Sequence, residues 1–344
     1  MIDPEAEAEA EGAATGRRTL GVVGTLVWDT IHRRDIGQDS VEEWGGIGYS
    51  LEALSAAVPE GWEVRPIVKV GRDLIERARD YLRTIPGVDP RTGIRPVDAP
   101  NNRVELNYAE GGRRTEHLSG GVPPWTAGEL LEAVRGCEAL YVNFISGFEM
   151  DLEAARGLHE GFDGPIWADL HSLFLGVGEE GLRVPQPLAQ VGEWLRSFHA
   201  VQMNESEFEL LAAGGGDPMA LAARAVGRDL GLIVVTLGDR GAAYVRDSEL
   251  PRDPLAWPGR WTGLAPIGQA MPGRVQGRPH EGPDDPTGCG DVWGATTFAR
   301  LLAGDGLDRA IHRANRMAAL NVGHRGAAGL HHHLQGRVHP GADR

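Results

Sequence analysis

The sequence predicts an α/β protein built on a mostly parallel central sheet, with helices on both faces and a small β lid. Beyond residue 126, helical periods alternate regularly with short apolar runs, which is the pattern of strand–helix–strand units. These runs are continuously apolar, as expected for parallel strands that are buried on both faces. A polar stretch at 32–44 and an alternating segment at 103–118 interrupt the first third of the chain and predict the lid.

The individual elements follow from local patterns. An apolar run from Thr19 to Asp29 predicts one buried strand, and the segment after Gly45-Gly46 has apolar residues at helical spacing. The segment 103–118 alternates around Glu110-Gly111-Gly112 and predicts a hairpin. Further strands are expected at 64–71, 139–145, 165–170, 200–204 and 232–238. Further helices are expected at 73–84, 126–135, 151–160, 187–197, 205–213, 218–230, 291–303 and 306–322.

These elements predict one domain over 19–333, between an acidic disordered tail at 1–18 and a loose tail at 334–344. Within the domain, the lid is expected at about 33–44 and 95–120. The three histidines at 331–333 are a candidate metal tract, but solvated surface is the simpler interpretation. No apolar run approaches the ~18 residues of a membrane helix, and the N-terminus has no apolar core. We therefore expect a cytoplasmic protein.

Composition excludes several classes of function. Lys and Arg number 34 against 49 Asp and Glu, and the resulting net charge of −15 disfavours nucleic acid or an anionic membrane as a partner. Lys69 is the only lysine, and no phosphate-binding P-loop string surrounds it. The H-R-D and D-F-G strings of protein kinases are also absent. Cys137 and Cys289 form no C-x-x-C pair, so both are expected as free thiols.

The most informative string is Asp284-Asp285-Pro286-Thr287-Gly288-Cys289-Gly290-Asp291, which leads directly into an apolar helical segment. Two glycines around one small residue let successive backbone N–H groups point at one spot, and the positive end of the helix favours an anion there. An aspartate beside a bound phosphate makes chemical sense as the base for a hydroxyl that attacks phosphorus. The structural alternative is that Thr287 or Asp285 caps the helix and Asp291 complements its dipole.

The string from Asp285 to Ala295 resembles the C-terminal signature of the PfkB/ribokinase family of carbohydrate and nucleoside kinases. The resemblance covers nearly the whole chain in the family's order. Residues 21–29 resemble the family's first strand, and the closing Asp29 is implied to bind substrate hydroxyls. Gly45 and Gly46 match the family's early glycine pair, which also lines the substrate site. Further matches are VKVGRD at 68–73, with the family's G-x-D step, and EGGRR at 110–114, with its lid turn.

The resemblance implies a ribokinase-like three-layer sandwich that uses ATP and Mg²⁺, and it leaves a monovalent cation open as a further cofactor. Asn204 and Glu207 match the family's N-x-x-E, which is implied to order magnesium and its waters. The loop with Thr236, Gly238 and Gly241 resembles a nucleotide-binding loop, to which Thr287 is added. Structural alternatives stay open, because Asn204 and Glu207 also fit a helix capping box and the loop also fits a plain turn.

Two departures from the family pattern concern the substrate. Ser50 stands where the family usually has an asparagine that contacts the sugar, and His171 replaces an asparagine after the strand PIWADL. A shorter and a bulkier side chain in the substrate pocket argue against carrying over ribose or fructose. The substrate therefore stays open. Cys289, with no histidine close in sequence, is expected as a small filler beside the anion hole rather than as a nucleophile.

We therefore expect an ATP-dependent phosphotransferase that moves the γ-phosphate to an alcohol group of a sugar-like substrate. Asp291 is the expected base, and the amides of Gly288, Cys289 and Gly290 are the expected anion hole. Alternatives are a nucleoside kinase of the same fold and a non-catalytic nucleotide or sugar sensor, with a dinucleotide-dependent oxidoreductase as a weaker third. The expected partners are a small-molecule substrate and a second copy paired through the lid, with a monomer as the alternative.

Overall fold

The computed structural model describes residues 16–33, 39–108, 114–213, 215–259, 268–277 and 286–337. Its strands are β1 (Arg18–Val23), β2 (Leu26–Arg33), β3 (Val41–Gly46), β4 (Trp62–Gly71), β5 (Ile94–Val97), β6 (Arg103–Tyr108), β7 (Arg114–Ser119), β8 (Ala139–Asn143), β9 (Ile166–Asp169), β10 (Leu175–Val177), β11 (Arg183–Pro185), β12 (Ala200–Asn204), β13 (Leu232–Thr236), β14 (Ala242–Asp247) and β15 (Ala270–Val275). Its α-helices are α1 (Ile47–Ala57), α2 (Ile75–Arg83), α3 (Ala127–Ala133), α4 (Leu152–Gly161), α5 (Val191–Arg196), α6 (Glu205–Leu211), α7 (Pro218–Ala225), α8 (Cys289–Leu302), α9 (Leu307–Asn321) and α10 (Leu330–Leu334).

A nine-stranded sheet forms the centre of the fold, in the order β15-β14-β13-β12-β9-β8-β1-β4-β5. The strands from β13 to β5 run parallel, whereas β14 and β15 pair antiparallel at one edge. The expected mostly parallel sheet is therefore confirmed. Because parallel strands end at the same side of a sheet, the last residues of β8, β9, β12 and β13 lie along one edge. These residues are Asn143, Asp169, Asn204 and Thr236.

Helices cover both faces of this sheet, which makes the three layers that the sequence predicted. Successive residues of β13 show why its sequence is apolar throughout. Leu232 and Val234 pack into the core that contains α1, α2, α8 and α9, while Ile233 and Val235 pack into the core with α3 to α7. Successive side chains of a strand point to opposite faces, so a strand between two helical layers has no polar face.

The lid is a four-stranded sheet in the order β3-β2-β6-β7, with a small core of its own around Val27, Ile31 and Leu106. The expectation of one buried strand from Thr19 to Asp29 is wrong. The chain leaves the central sheet after β1 and enters the lid as β2, and the break falls at Gly24, where a Cβ would lie 2.2 Å from the Ile47 side chain. An apolar run cannot show this change of sheet, because both strands are apolar.

Two further lid expectations also need correction. The polar stretch 32–44, which gave no sequence signal for a strand, contains part of β3, which pairs antiparallel with β2. The segment from 95 is not wholly lid, because β5 pairs parallel with β4 at the edge of the central sheet. The turn at 110–112 and Asp284-Asp285 lie outside the described residues, as do 1–15 of the expected N-terminal tail and 338–344 of the expected C-terminal tail.

One of the three C-terminal histidines is buried rather than solvated as expected. His331 lies in α10 with 3% exposure, and its backbone N–H and Nδ1 both contact the fully buried Glu52 of α1. The buried Leu334, one residue beyond the expected boundary at 333, is the last residue of the same helix. Within the described ranges, no helix is both long and apolar enough to cross a membrane. Cys137 and Cys289 do not form a disulfide with each other.

Candidate active site

A cavity of about 750 Å³ lies where the carboxyl ends of the parallel strands meet the lid and the N-terminus of α8. Asp169, Asn204 and Thr236 line it from the ends of β9, β12 and β13. Open parallel sheets bind ligands in this position, because strand ends, loops and helix N-termini converge there. Asp29 and Glu116 line the cavity from the lid.

The N-terminus of α8 supplies the backbone amides that the sequence motif predicted. Gly288 precedes the helix with φ +75° and has no side chain to cap it, and the Cys289 N–H donates to the Pro286 carbonyl over 3.1 Å. A Cβ on Gly288 would lie 2.2 Å from the ring of Tyr49, so both the backbone conformation and the close packing require glycine. Residues 286 to 291 all line the cavity. The helix therefore directs its positive end and its amides into the cavity.

Asp291 lies in the first turn of α8 and is held by a neighbour from the central sheet. The Nδ2 of Asn143 donates to Asp291 Oδ1 over 2.6 Å and to Ser50 Oγ over 3.0 Å. Asn143 and Ser50 are both 0% exposed. Ser50 thus lies behind the cavity wall rather than on its surface, where the resemblance had placed a sugar contact.

Asp169 and His171 both have pKa values raised above their usual range. Burial, followed by the negative charge of Asp291, raises the pKa of Asp169 to about 8. Gln202 Nε2 donates to Asp169 Oδ2 over 2.9 Å and to the Gly290 carbonyl over 3.0 Å, which ties the strand end to the start of α8. Burial opposes a charge on His171, but the Glu207 carboxylate outweighs it and raises the pKa of His171 to about 9.

Asn204 and Glu207 form a complete capping box at the start of α6. The Glu207 N–H donates to Asn204 Oδ1 over 3.0 Å, and the Asn204 N–H donates to Glu207 Oε2 over 2.8 Å. Glu207 also contacts His171 Nδ1, and both members of the box line the cavity. No group of three His, Cys, Asp or Glu in the described ranges forms a metal cage. One carboxylate at a phosphate site does suit Mg²⁺, which keeps most of its waters and binds phosphate oxygens.

The lid side of the cavity combines one buried carboxylate with an apolar surface. Asp29 is 4% exposed, and a Cβ on Gly45 would lie 1.7 Å from Asp29 Oδ2, so the missing side chain makes room for this carboxylate. Val27, Val104 and Leu106 line the cavity beside it. The Tyr108 hydroxyl lies 2.7 Å from Thr287 Oγ1 and joins the lid to the motif before α8.

The cavity is also lined by residues around the end of β13 and by α9. Thr236 lines it from the end of β13, and Gly238 and Gly241 line it from the segment that follows. Sequence reasoning did not identify four further lining residues, namely Asn315, Ala318, Ala319 and Val322. Trp293 Nε1 donates to Asn315 Oδ1 over 2.7 Å, and Asn315 Nδ2 donates to the Gln276 carbonyl.

Most of the predicted site residues therefore share one cavity. Those that line it are Asp29, Gly46, His171, Asn204, Glu207, Thr236, Gly238, Gly241, Thr287, Gly288, Cys289, Gly290 and Asp291. Gly45 and Ser50 do not line the cavity. Gly45 lies against Asp29, which does line it, and Ser50 accepts a hydrogen bond from Asn143, which also donates to Asp291. Sequence reasoning missed Asn143, Asp169 and Gln202. Their position at or near the ends of predicted parallel strands was the one available signal.

Comparison with known proteins agrees with this geometry. The family model described as pfkB family carbohydrate kinase matches residues 181–332. A comparison with curated proteins gives no significant match. Ribokinase from Arabidopsis thaliana, complexed with ribose and ATP, aligns over 93% of this chain and 98% of its own, with 18% identity and a TM-score of 0.65.

Two other solved structures share the fold. A nucleoside kinase from Burkholderia thailandensis, in complex with inosine, aligns over 91% of this chain and 93% of its own, with 16% identity and a TM-score of 0.63. A pyrophosphate-dependent kinase in the ribokinase family, complexed with a pyrophosphate analogue and myo-inositol, aligns over 92% of this chain and 99% of its own, with 16% identity and a TM-score of 0.67.

The fold is thus ribokinase-like: a three-layer sandwich with a mostly parallel sheet and a small β lid. The match of residues 181–332 to the pfkB carbohydrate kinase model confirms the family resemblance that the sequence motifs indicated.

Proposed function

We propose that the protein is an ATP-dependent phosphotransferase that moves the γ-phosphate to an alcohol group of an uncharged, polyhydroxylated substrate. One observation carries the proposal. Asp291 lies in the first turn of α8, beside the backbone amides of the helix N-terminus and in a cavity that residues of the lid also line. A base and an anion hole at one point are what phosphoryl transfer to a hydroxyl requires.

In the proposed reaction, the Asp291 carboxylate accepts the proton of the acceptor hydroxyl as its oxygen attacks the γ-phosphorus. The bond between the γ-phosphorus and the bridging oxygen breaks, and ADP leaves. The amides of Gly288, Cys289 and Gly290 donate to oxygens of the transferring group, where charge accumulates. Mg²⁺, when bound, neutralises charge on the donor phosphates. Glu207 and Asn204 would order its water ligands from the wall of the cavity.

The donor half of the cavity favours a nucleotide. The cavity is lined by small apolar side chains, namely Ala318 and Ala319 of α9 and Val322 just after it, and by the segment Thr236–Gly241. Apolar side chains of this kind suit a flat base, whereas pyrophosphate has no apolar group to pack on them. Because a pyrophosphate-dependent kinase shares this fold, the identity of the phosphate donor is the first property to measure.

The charge around the cavity favours an acceptor without negative groups. Seven acidic side chains line the cavity, namely Asp29, Glu116, Asp169, Glu205, Glu207, Asp239 and Asp291, against the cationic side chains of His171 and Arg240, and of the seven Asp169 keeps its proton at neutral pH. Sugar acids and sugar phosphates would meet repulsion near Asp29 and Glu116 on the lid. Asp29 suits an acceptor with neighbouring hydroxyls, because one carboxylate accepts two such hydrogen bonds.

A nucleoside is the second candidate acceptor. The apolar lid side chains Val27, Val104 and Leu106 line the cavity next to Asp29. They offer a surface on which a base can pack while the ribose hydroxyls meet the carboxylate.

One assay separates these functions. ATP and pyrophosphate are each supplied with free sugars, polyols, sugar acids and nucleosides, and phosphorylated products are identified by ³¹P NMR. We expect transfer from ATP to an uncharged acceptor, and none with Asp291→Asn at the same enzyme concentration. Nucleotide binding without transfer to any acceptor would instead indicate a sensor, and preferred use of pyrophosphate would correct the donor.

The role of Asp29 is tested on the acceptor that this assay identifies. Asp29→Ala should raise the KM for that acceptor about 10- to 100-fold and leave the KM for ATP nearly unchanged. Glu105→Ala is the matched control, because Glu105 lies on the same lid but its side chain is 53% exposed and pairs with His32. Equal use of the acceptor and its deoxy analogue by the unmodified protein would refute the role of Asp29.

A further inference from the structure

We propose that Asn143 is a positioning residue that fixes the orientation of the Asp291 carboxylate and favours its ionised form. The proposal rests on the proposed function only in treating Asp291 as the base. It assigns a role to a residue at the end of β8 that has no counterpart among the motifs of the sequence.

The contact itself joins distant parts of the chain. Asn143 and Asp291 are 148 positions apart, and the distance from Asn143 Nδ2 to Asp291 Oδ1 is 2.6 Å. The same amide nitrogen donates to Ser50 Oγ over 3.0 Å, so its two hydrogens have two acceptors. With no exposed surface, Asn143 has no room to turn away. The amide therefore holds Asp291 Oδ1 toward the sheet, which makes Oδ2 the oxygen that receives the proton of the acceptor.

The orientation of the amide follows from charge. Exchanging its oxygen and nitrogen would place Oδ1 of Asn143 against the carboxylate of Asp291, and two acceptors repel at that distance. In the orientation present, Asn143 Oδ1 is buried and has no hydrogen-bond partner among the described residues. An unpaired buried carbonyl costs free energy. That cost is consistent with an amide whose N–H groups are needed at Asp291.

The surroundings of Asp291 explain why such a donor matters. Asp169, from β9, and Tyr141, from β8, both interact electrostatically with Asp291, and His171 and Glu207 lie around Asp169 in turn. Two carboxyl groups this close do not both ionise readily, and the pKa of Asp169, about 8, means that Asp169 keeps its proton at neutral pH. An N–H donor favours the ionised form of a carboxylate, and Asn143 supplies one to Asp291 without bringing a positive charge to the phosphate site.

Two substitutions of similar size separate electrostatic positioning from packing. Asn143→Leu removes the donors and keeps the volume, and Asn143→Asp replaces the donors with a carboxylate. We expect kcat to fall about 10- to 100-fold in Asn143→Leu, with the KM for ATP unchanged. The acid limb of the pH profile of kcat should move up by about one pH unit in Asn143→Leu, and further in Asn143→Asp. Asn143→Asp also covers the case in which the leucine variant fails to fold.

Asn101→Leu is the matched control. Asn101 is also 0% exposed, but it accepts from the Gly71 N–H and donates to the Leu26 and Asn102 carbonyls, away from Asp291. We expect this variant to lower the melting temperature and leave the acid limb in place. An unmoved acid limb in both Asn143 variants would overturn the proposal.

A second measurement keeps the inference separate from the proposed function. With ¹³C-carboxyl-labelled aspartate, the Asp291 resonance is assigned by its loss in Asp291→Asn and followed against pH. Its midpoint should rise by about one pH unit in Asn143→Leu whether or not the protein transfers phosphate. An unchanged midpoint contradicts the role of Asn143, whereas a shifted midpoint in a protein that transfers no phosphate contradicts only the proposed function.

Discussion

Two capping boxes in this chain have the same local chemistry and different surroundings. At the start of α3, Thr126 and Glu129 exchange hydrogen bonds between side chain and backbone, and at the start of α6, Asn204 and Glu207 do the same. Glu129 faces the buried Lys69, whose Nζ lies 2.9 Å from Glu129 Oε2, and Arg95 also pairs with it. Glu207 instead lines the cavity and contacts His171.

The two surroundings have opposite electrical effects. The Thr126 backbone N–H, followed by Lys69, lowers the pKa of Glu129 to about 2, so its charge is well compensated. Around Glu207, by contrast, burial and the charge of Asp291 raise the pKa of the nearby Asp169 to about 8. Carboxylates crowded without enough cations are unfavourable for stability, and such groups concentrate at functional sites. The same motif therefore serves stability in one place and, under the proposed function, catalysis in the other.

The largest expected effect comes from a substitution in the cavity that Glu207 lines. Asp291→Asn removes the proposed base and should lower turnover about 10²- to 10⁴-fold. The substitution also removes a negative charge that contributes to the raised pKa of Asp169, so the melting temperature should stay the same or rise. Steady-state kinetics and thermal unfolding of the same preparation check both. Near-normal turnover would exclude Asp291 as the base.

A substitution of Glu129, whose charge is compensated, should change the stability of the protein and not its activity. Glu129→Gln leaves the Lys69 ammonium, 5% exposed, without its carboxylate, and we expect a loss of roughly 2–3 kcal/mol in the free energy of unfolding. Lys69 keeps the Pro124 carbonyl and the ring of Trp125, which limits the loss. Glu76→Gln is the control, because Glu76 is 73% exposed in its pair with Arg79. Equal stability of the two variants in urea titration would contradict the compensated role of Glu129.

Magnesium dependence separates the two glutamates. Glu207→Gln keeps much of the capping hydrogen bonding but loses the charge, so the Mg²⁺ concentration for half-maximal turnover should rise about tenfold or more. Glu129→Gln changes the same position of the other capping box and should leave that concentration unchanged. Should Glu207→Gln also leave it unchanged, Glu207 would act only as a cap.

The smallest expected effects concern pH, and the two sites should respond in opposite windows. The lowered pKa of Glu129 adds stability that is present above about pH 4.5 and is lost as the pH falls through about 2. The raised pKa of His171 adds stability that is complete below about pH 6.5 and is lost as the pH rises through about 9. Unfolding measured across pH should flatten at the acid end in Glu129→Gln and at the alkaline end in His171→Asn. If the dependence of stability on pH were unchanged at the acid end in Glu129→Gln, or at the alkaline end in His171→Asn, the contribution assigned to that residue would be wrong.

Local signals predicted the parts of the site that depend on short segments. Gly288, Cys289, Gly290 and Asp291 could be identified because a turn and a helix start need only adjacent residues. The capping box at Asn204 and Glu207 was visible for the same reason, as its members are three positions apart. What the motif could not show was that His171 contacts Glu207 from a loop 36 positions away.

The amino-acid sequence by itself determined the α/β rhythm, the mostly parallel sheet and the glycine-rich start of α8, because periodicity and turn chemistry act over a few residues. Only the tertiary structure decided that β2 lies in the lid, that Glu52 buries His331, and that Asn143 reaches Asp291 across 148 positions. These contacts depend on which strands become neighbours. Strand order is fixed by the packing of the whole chain, so no short segment contains it.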